Sequence, residues 1–278
     1  RTDSSAASDV YKRQGLACAE NLIRRGVKCT VYDKNPEIGG LLTYGIPEFK
    51  LEKSIVLKRR EMLEELGVKF VLNTEVDTKK VAEIEKKSDA IFLGLGTYES
   101  IKGKIEGTDK TGVVEALPYL IKNTEYLMDP DDAEKIDFKD QRVAVLGGGD
   151  TAMDCVRTAV RQQAKSVTCI YRRDQENMPG SIREIKHAME EGVDFLFNTQ
   201  PLKVEGNGSI TSLKVCETKL GEPDASGRQR PELIEGSEKA IEVDKLVIAF
   251  GYQADVPDFV LDKNCLLYTS PSPRDQVV

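Results

Sequence analysis

The sequence predicts an α/β protein of two Rossmann-like dinucleotide-binding units, doubly wound parallel sheets carrying an antiparallel β excursion. Three observations predict it. The run RVAVLGGGDTAMDC, Arg142 to Cys155, reads as a strand, a glycine turn and a helix start. A helix pattern from Gly15 leads into a short strand, VKCTVYDK, whose tip carries Asp33. Strand and helix patterns then alternate through most of the chain, the order that builds a parallel sheet covered by helices.

Composition sets the limits. At 278 residues, two mid-sized α/β units fit best, and 40% hydrophobic beside 31% charged residues is the balance of a soluble globular chain. No apolar run approaches the roughly 20 residues that span a bilayer, so no membrane partner is expected. A net charge of -7 weighs against a nucleic-acid partner. The six cysteines, Cys18, Cys29, Cys155, Cys169, Cys216 and Cys265, form no C-x-x-C pair and no cluster at metal-ligand spacing. They read as buried reduced thiols of a cytoplasmic protein, with no metal site. The single histidine, His187, lies in a helical pattern as a solvated or capping residue.

The ends differ from the middle. Residues 1–14 are polar, without the apolar core of a signal peptide. Residues 265–278 are rich in Ser and Pro. Both are similar to translated adapter sequence, and the expectation is a truncated fragment with adapter-like, non-native ends at 1–14 and 265–278 that are left out of the fold reasoning. That leaves 15–112 as a partial first unit, 113–250 as the second, and 251–264 as a return towards the first.

In chain order, GLACAENLIRRG from Gly15 places Leu16, Ala19, Leu22 and Ile23 at helical spacing, and Gly26 ends the helix. Gly15 then stands as the last glycine of a nucleotide loop, and Asp33 as the acid that accepts hydrogen bonds from an adenosine ribose, or as the surface acid of an ordinary βα unit. In EIGGLLTYGIPEFKL, the adjacent Gly39 and Gly40 let backbone pass close to a ligand or simply make a turn. A helix over 51–66, a strand over 68–72, a short charged helix over 79–86 and a buried strand over 89–97 complete the first unit. Residues 98–140 read as connective, with one helix over 115–126 and an acidic, solvated linker.

The glycine turn follows. Gly147 permits the sharp exit from the strand, Gly149 clears space for a pyrophosphate, and Ala152 stands where a third glycine often allows close helix packing. A helix N-terminus offers free N–H groups and a positive dipole end to the anion. The next strand, 166–171, carries Arg172 and Arg173 at its tip. An acid there would read the 2′-OH of NAD, whereas arginine pairs with the 2′-phosphate of NADP, so NADPH is preferred unless the arginines are merely solvated. A helix over 182–191, several strands with a hairpin at Gly206 to Gly208, and the strand KLVIAF close the second unit.

Four runs in register, YGIPEFKLEK, GGGDTAMDCVRTAVRQ, YRRDQENMPGS and GEPDASGRQRP, resemble the small subunit of bacterial glutamate synthase over essentially all of residues 15–264. The resemblance implies a flavoprotein with an NADPH domain inserted in an FAD domain. It implies hydride transfer from NADPH to FAD, then electron transfer through iron-sulfur clusters to a large subunit that makes L-glutamate from glutamine and 2-oxoglutarate. By position it assigns Gly147, Gly148, Gly149, Asp150, Thr151 and Ala152 to the NADPH pyrophosphate loop, and Arg172 with Arg173 to the 2′-phosphate. Gly15, Leu16, Asp33, Lys34, Gly39, Gly40, Leu41 and Thr97 fall at FAD contacts. No side chain is assigned as an acid or base, since the cofactors carry the chemistry. The cluster-binding cysteines and part of the FAD loop are not in this sequence, so an incomplete FAD site and a chain inactive by itself are expected. The alternatives are a related electron-transfer subunit, of the ferredoxin:NADP oxidoreductase or pyrimidine-reducing kind, or an NADPH-binding module without catalysis.

Overall fold

The computed structural model describes residues 3–8, 12–131, 133–134, 136–223 and 229–253, with side chains described from Gln14 onward, Pro223 excepted. The predicted return over 251–264 is described only to Gln253, and the Ser/Pro-rich tail lies outside the described residues. Two parallel sheets form the frame.

The first sheet contains β1 (Asp3–Ser8), β2 (Lys28–Tyr32), β3 (Lys69–Val71) and β4 (Ala90–Gly94), in the order β3-β2-β1-β4. All its pairings are parallel. Asp3–Ser8, left out of the fold reasoning from sequence, pairs on both sides, and α1 (Lys12–Ile23) begins before Gly15. A polar run can fill that place because parallel pairing uses backbone groups that every residue carries. Helices α1, α2 (Lys53–Glu65) and α3 (Thr78–Glu85) follow the predicted pattern. Gly26 and Gly67 end the first two with φ of +81° and +98°, the left-handed conformation that glycine adopts without penalty. The core gathers Leu16, Val31, Ile38, Leu63 and Val68. β4, predicted as buried, is an edge strand of the described sheet, and its Phe92 is 37% exposed.

The second sheet is formed by β6 (Val113–Glu115), β7 (Arg142–Leu146), β8 (Ser166–Ile170), β9 (Asp194–Leu196) and β14 (Lys245–Ile248), parallel throughout in the order β6-β14-β7-β8-β9. β7 is buried on both faces. Val143 and Val145 face the cluster around Met153 and Val156 of α5 (Asp150–Arg161), while Ala144 and Leu146 face Val204, Leu213 and Val215. That two-sided burial explains an apolar run where a half-exposed strand would alternate. The second cluster belongs to the antiparallel excursion of β10 (Thr199–Glu205), β11 (Ser212–Pro223), β12 (Gln229–Leu233) and β13 (Lys239–Glu242). Gly206 and Gly208 sit at its hairpin with φ of +137° and +78°.

The segment read as connective is more structured than expected. Besides the predicted helix, α4 (Ala116–Met128), it contains β5 (Glu99–Ser100) and β6, and residues 106–111 already bond to the excursion through Val204 N–H to Glu106 O and Ile210 N–H to Thr111 O. The acidic linker is anchored too: Phe138 is buried and stacked on Tyr119 with ring centroids 4.5 Å apart. β15 (Tyr252–Gln253) pairs antiparallel with β5, joining the segments that enter and leave the second unit in a ribbon. No helix among the described residues is long and apolar enough to cross a membrane.

Candidate nucleotide-binding site

The site lies where β7 ends. Gly147 takes φ +140°, and a Cβ there would stand 2.3 Å from Ala249 O, so the turn is fixed by the close passage of the chain leaving β14. A Cβ on Gly148 would meet the Tyr171 ring at 2.6 Å. Gly149 differs from both, having nothing within 4 Å of the added Cβ. It is the N-cap of α5 and places no side chain on the first turn, so the positive end of that helix is not capped from within its own chain start. One glycine therefore serves the turn, one the packing of a ring, and one leaves open space for a ligand. Ala152 is fully buried against the sheet, as its predicted packing role requires.

The open space is a cleft of about 640 Å³, within the range of small-molecule and cofactor sites. Gly147, Gly149 and Thr151 line one wall, Arg172 and Arg173 another, and Lys104 contributes from the segment entering the second unit. Among the described residues, three cations line the cleft and no carboxylate does. Arg173 Nε is buried with no hydrogen-bond partner among the described residues, and its guanidinium carbon lies 6.0 Å from the Tyr171 ring centroid. Such a donor calls for an anionic acceptor. The backbone beneath the arginines is held firmly: Thr218 Oγ1 donates to Arg172 O at 2.9 Å and Asn198 N–H to Arg173 O at 3.0 Å.

A second loop closes over the glycine turn. Gly180 N–H donates to Gly148 O at 2.9 Å, and a Cβ on Gly180 would reach that oxygen at the same distance. Ser181 N–H donates to Asp150 Oδ1 at 2.8 Å, which fixes the start of α6 (Ile182–Glu190). Asp150, expected from the sequence in the pyrophosphate loop, has its carboxylate engaged in this loop-to-loop bond. His187 is half-buried in α6, away from the cleft lining.

The first unit brings together only part of its predicted set. Asp33 is buried at the end of β2 and accepts from Asn35 N–H at 2.9 Å, which removes the reading as a solvated surface acid. Lys34 Nζ lies 5.3 Å from the Tyr98 ring centroid, so the end of β2 approaches the segment that carries Thr97 after β4. Gly15 and Leu16 are buried in α1. Gly39 has φ +101°, and its Cβ would stand 2.6 Å from Thr43 Oγ1 and 2.9 Å from Val56, so local packing already demands a glycine there. Gly40 and Leu41 form the 3₁₀ turn that follows. None of these residues lines the cleft of the second unit.

Sequence reasoning missed Lys104, Gln200 and Phe250 as cleft residues. Phe250 could have been found, since it follows a parallel strand and ligands gather at the carboxyl ends of such strands. Lys104 and Gln200 carry no local signal; they arrive by chain crossing.

A parallel sheet with a glycine turn, an open helix N-terminus and a cationic cleft at its strand ends defines a dinucleotide-binding α/β protein. The family model described as pyridine nucleotide-disulphide oxidoreductase matches residues 15–266, and the chain belongs to that family. It is 54% identical over 245 residues to the glutamate synthase [NADPH] small chain of Escherichia coli K12, aligning 86% of this chain with 52% of that protein. It is 54% identical over 255 residues to the protein of the same description from Halomonas elongata, aligning 91% of this chain with 54% of that one. The chain thus spans about half the length of these relatives. Among solved structures, Mycobacterium tuberculosis FprA in complex with NADPH superposes with a TM-score of 0.77 at 16% identity, over 92% of this chain and 72% of that one, a likeness of fold.

Proposed function

We propose that this chain is the nucleotide-handling part of an NADPH-dependent flavoprotein oxidoreductase, the small subunit of a glutamate synthase. The observation that carries the reading is the cleft at Gly147 to Thr151, with three cations and no carboxylate among its described lining residues, and a helix start without a side-chain cap. The charge of the cleft suits NADPH: the open space at Gly149 supports a pyrophosphate there, and Arg172 and Arg173 past the end of β8 support a 2′-phosphate contact that NADH lacks. The Escherichia coli and Halomonas elongata relatives support the glutamate synthase assignment.

Bound FAD would supply the ring that accepts the hydride, and Gly15, Leu16, Asp33, Lys34, Gly39, Gly40, Leu41 and Thr97 of the first unit would hold it. Buried Asp33 at the end of β2 fits the acid that receives an adenosine ribose. The chain's own work is binding and orientation: α5 and the loop at Gly180 would hold the phosphates, and Phe250, just past β14, adds an apolar side chain to the cleft lining. In the whole protein, electrons would pass through iron-sulfur clusters held outside this chain to the large subunit that forms L-glutamate from glutamine and 2-oxoglutarate, in the cytoplasm.

The test is anaerobic mixing of the FAD-reconstituted chain with NADPH or NADH. Bleaching of the flavin absorbance, faster with NADPH, is the expected result. A chain that binds neither nucleotide contradicts the reading.

A further inference from the structure

The nucleotide cleft and the first unit's glycine turn use only part of the run YGIPEFKLEK. Its Phe49 and Lys50 leave that glycine turn and enter the surface between α5 and α6. Lys50 Nζ lies 2.6 Å from Asp154 Oδ1 on α5 and 3.3 Å from Glu184 Oε2 on α6. The Phe49 ring packs beneath two guanidinium groups, with Arg161 at 3.7 Å and Arg157 at 4.8 Å from its centroid. Those arginines are tied in turn to α6 and its end: Arg157 to Glu184 at 2.6 Å and to Glu191 at 2.8 Å, and Arg161 to Glu191 at 2.6 Å. Asp154, Arg157 and Glu184 are all buried. The other side of the turn is equally fixed, since Lys53 Nζ donates to Ile46 O at 2.5 Å and Lys50 N–H to Pro47 O at 3.0 Å.

We infer that Phe49 and Lys50 form a clamp that sets the position of the second unit's nucleotide-bearing helix α5 against the first unit, and that they are positioning residues for transfer between the two bound rings. Two physical points support this. A buried ion cluster contributes little net stability, because desolvation offsets attraction; what it fixes is geometry. The helix it grips is also the one whose N-terminus faces the nucleotide cleft, with Asp154 one turn beyond Asp150. A shift at the clamp therefore moves the nucleotide, and transfer between stacked rings is sensitive to displacements of about 1 Å. Burial pushes the Asp154 carboxyl up to about 6, against the opposing pull of Lys50, with Glu184 and Asp150 adding to the rise. The interaction is thus held at a cost.

The clamp itself stands on the ion pairs and ring contacts of Phe49 and Lys50; its effect on hydride transfer rests on the proposed NADPH-to-FAD activity. The test compares Lys50→Met and Phe49→Leu, the latter leaving every ion pair in place, with Lys50→Arg as the conservative variant, in the full chain reconstituted with FAD. Hydrogen exchange at residues 49–51 and at the end of α5 is expected to rise at least tenfold in Lys50→Met and Phe49→Leu, while β7 stays protected. The NADPH dissociation constant should stay within about twofold, the rate of flavin reduction should fall at least tenfold, and Lys50→Arg should recover most of it. Unchanged exchange in both variants overturns the clamp. So does faster exchange with an undiminished reduction rate, or an NADPH affinity that falls in step with the rate. If the wild-type chain does not reduce flavin at all, the proposed activity fails, and hydrogen exchange alone still decides the clamp.

Discussion

The two parallel sheets use the same βα logic with different security. In the second unit, β7 is buried on both faces and its glycine turn is wedged between Ala249 and Tyr171. In the first, the corresponding strand β1 reads DSSAAS and is held by backbone pairing to β2 and β4, while β4 is half exposed. A phosphate turn must be stiff to spare its ligand the entropy of ordering it. The difference teaches that stiffness comes from what packs behind the turn, and here the second unit has it in full.

The largest expected effect separates two glycines of that turn. Gly147→Ala places a Cβ at φ +140° and 2.3 Å from a carbonyl oxygen, and should destabilise the second unit by more than about 3 kcal/mol. Gly149→Ala meets no atom within 4 Å, and should leave the urea midpoint nearly unchanged while weakening NADPH binding. Equal urea midpoints for the two variants would break the contrast between a folding glycine and a ligand glycine.

A smaller effect belongs to Asp150. Its bond from Ser181 N–H joins two loops rather than loop and ligand, so Asp150→Ala should loosen the loop at Gly180 and cost about 1 to 2 kcal/mol in stability. Isothermal denaturation checks the stability, and titration with NADPH checks that affinity does not rise, as it would if the carboxylate acted only by repelling phosphate.

The smallest effects are on pH dependence, and they differ in sign within one cluster. Burial raises Glu191, but Arg161 and Arg157 outweigh it and leave the carboxyl at about 2 against an ordinary 4.5. That contribution to stability is complete above pH 4.5 and is lost as pH falls towards 2. Asp154 is the reverse: raised from 3.8 to about 6, it disfavours the fold above pH 6, and the penalty fades as pH falls towards 3.8. Comparing Asp154→Asn with the wild type by urea denaturation at several pH values should give the variant its best relative stability near neutrality, shrinking towards acid. A difference independent of pH would show that Asp154 is not shifted.

Much of this was legible in the residues. The strand, glycine turn and helix over 142–155 declare themselves because burial on both faces leaves an uninterrupted apolar run, and the glycine positions answer to local geometry. Arg172 and Arg173 were legible for the same reason, sitting at a strand tip whose spacing from the turn is set by one helix. The polar β1 was not, because the parallel pairing that holds it uses backbone groups and leaves no apolar pattern in the residues. Nor was Lys104, which reaches the cleft from residues that read as connective, nor the separate use of Gly148, which depends on a ring 23 residues further along the chain at Tyr171. Gly39 shows the converse: the glycine pair was visible, but its packing against Thr43 and Val56 was not.

If the cleft at the end of β7 holds NADPH as proposed, Arg172 and Arg173 distinguish it from NADH through the 2′-phosphate. Dissociation constants for NADPH and NADH, measured by nucleotide fluorescence on the wild type and on Arg172→Ala and Arg173→Ala, test it most directly. Each variant should lose about 1.5 to 3 kcal/mol of NADPH binding, the worth of a charged hydrogen bond, with NADH binding nearly unchanged. Equal losses for both nucleotides would contradict it.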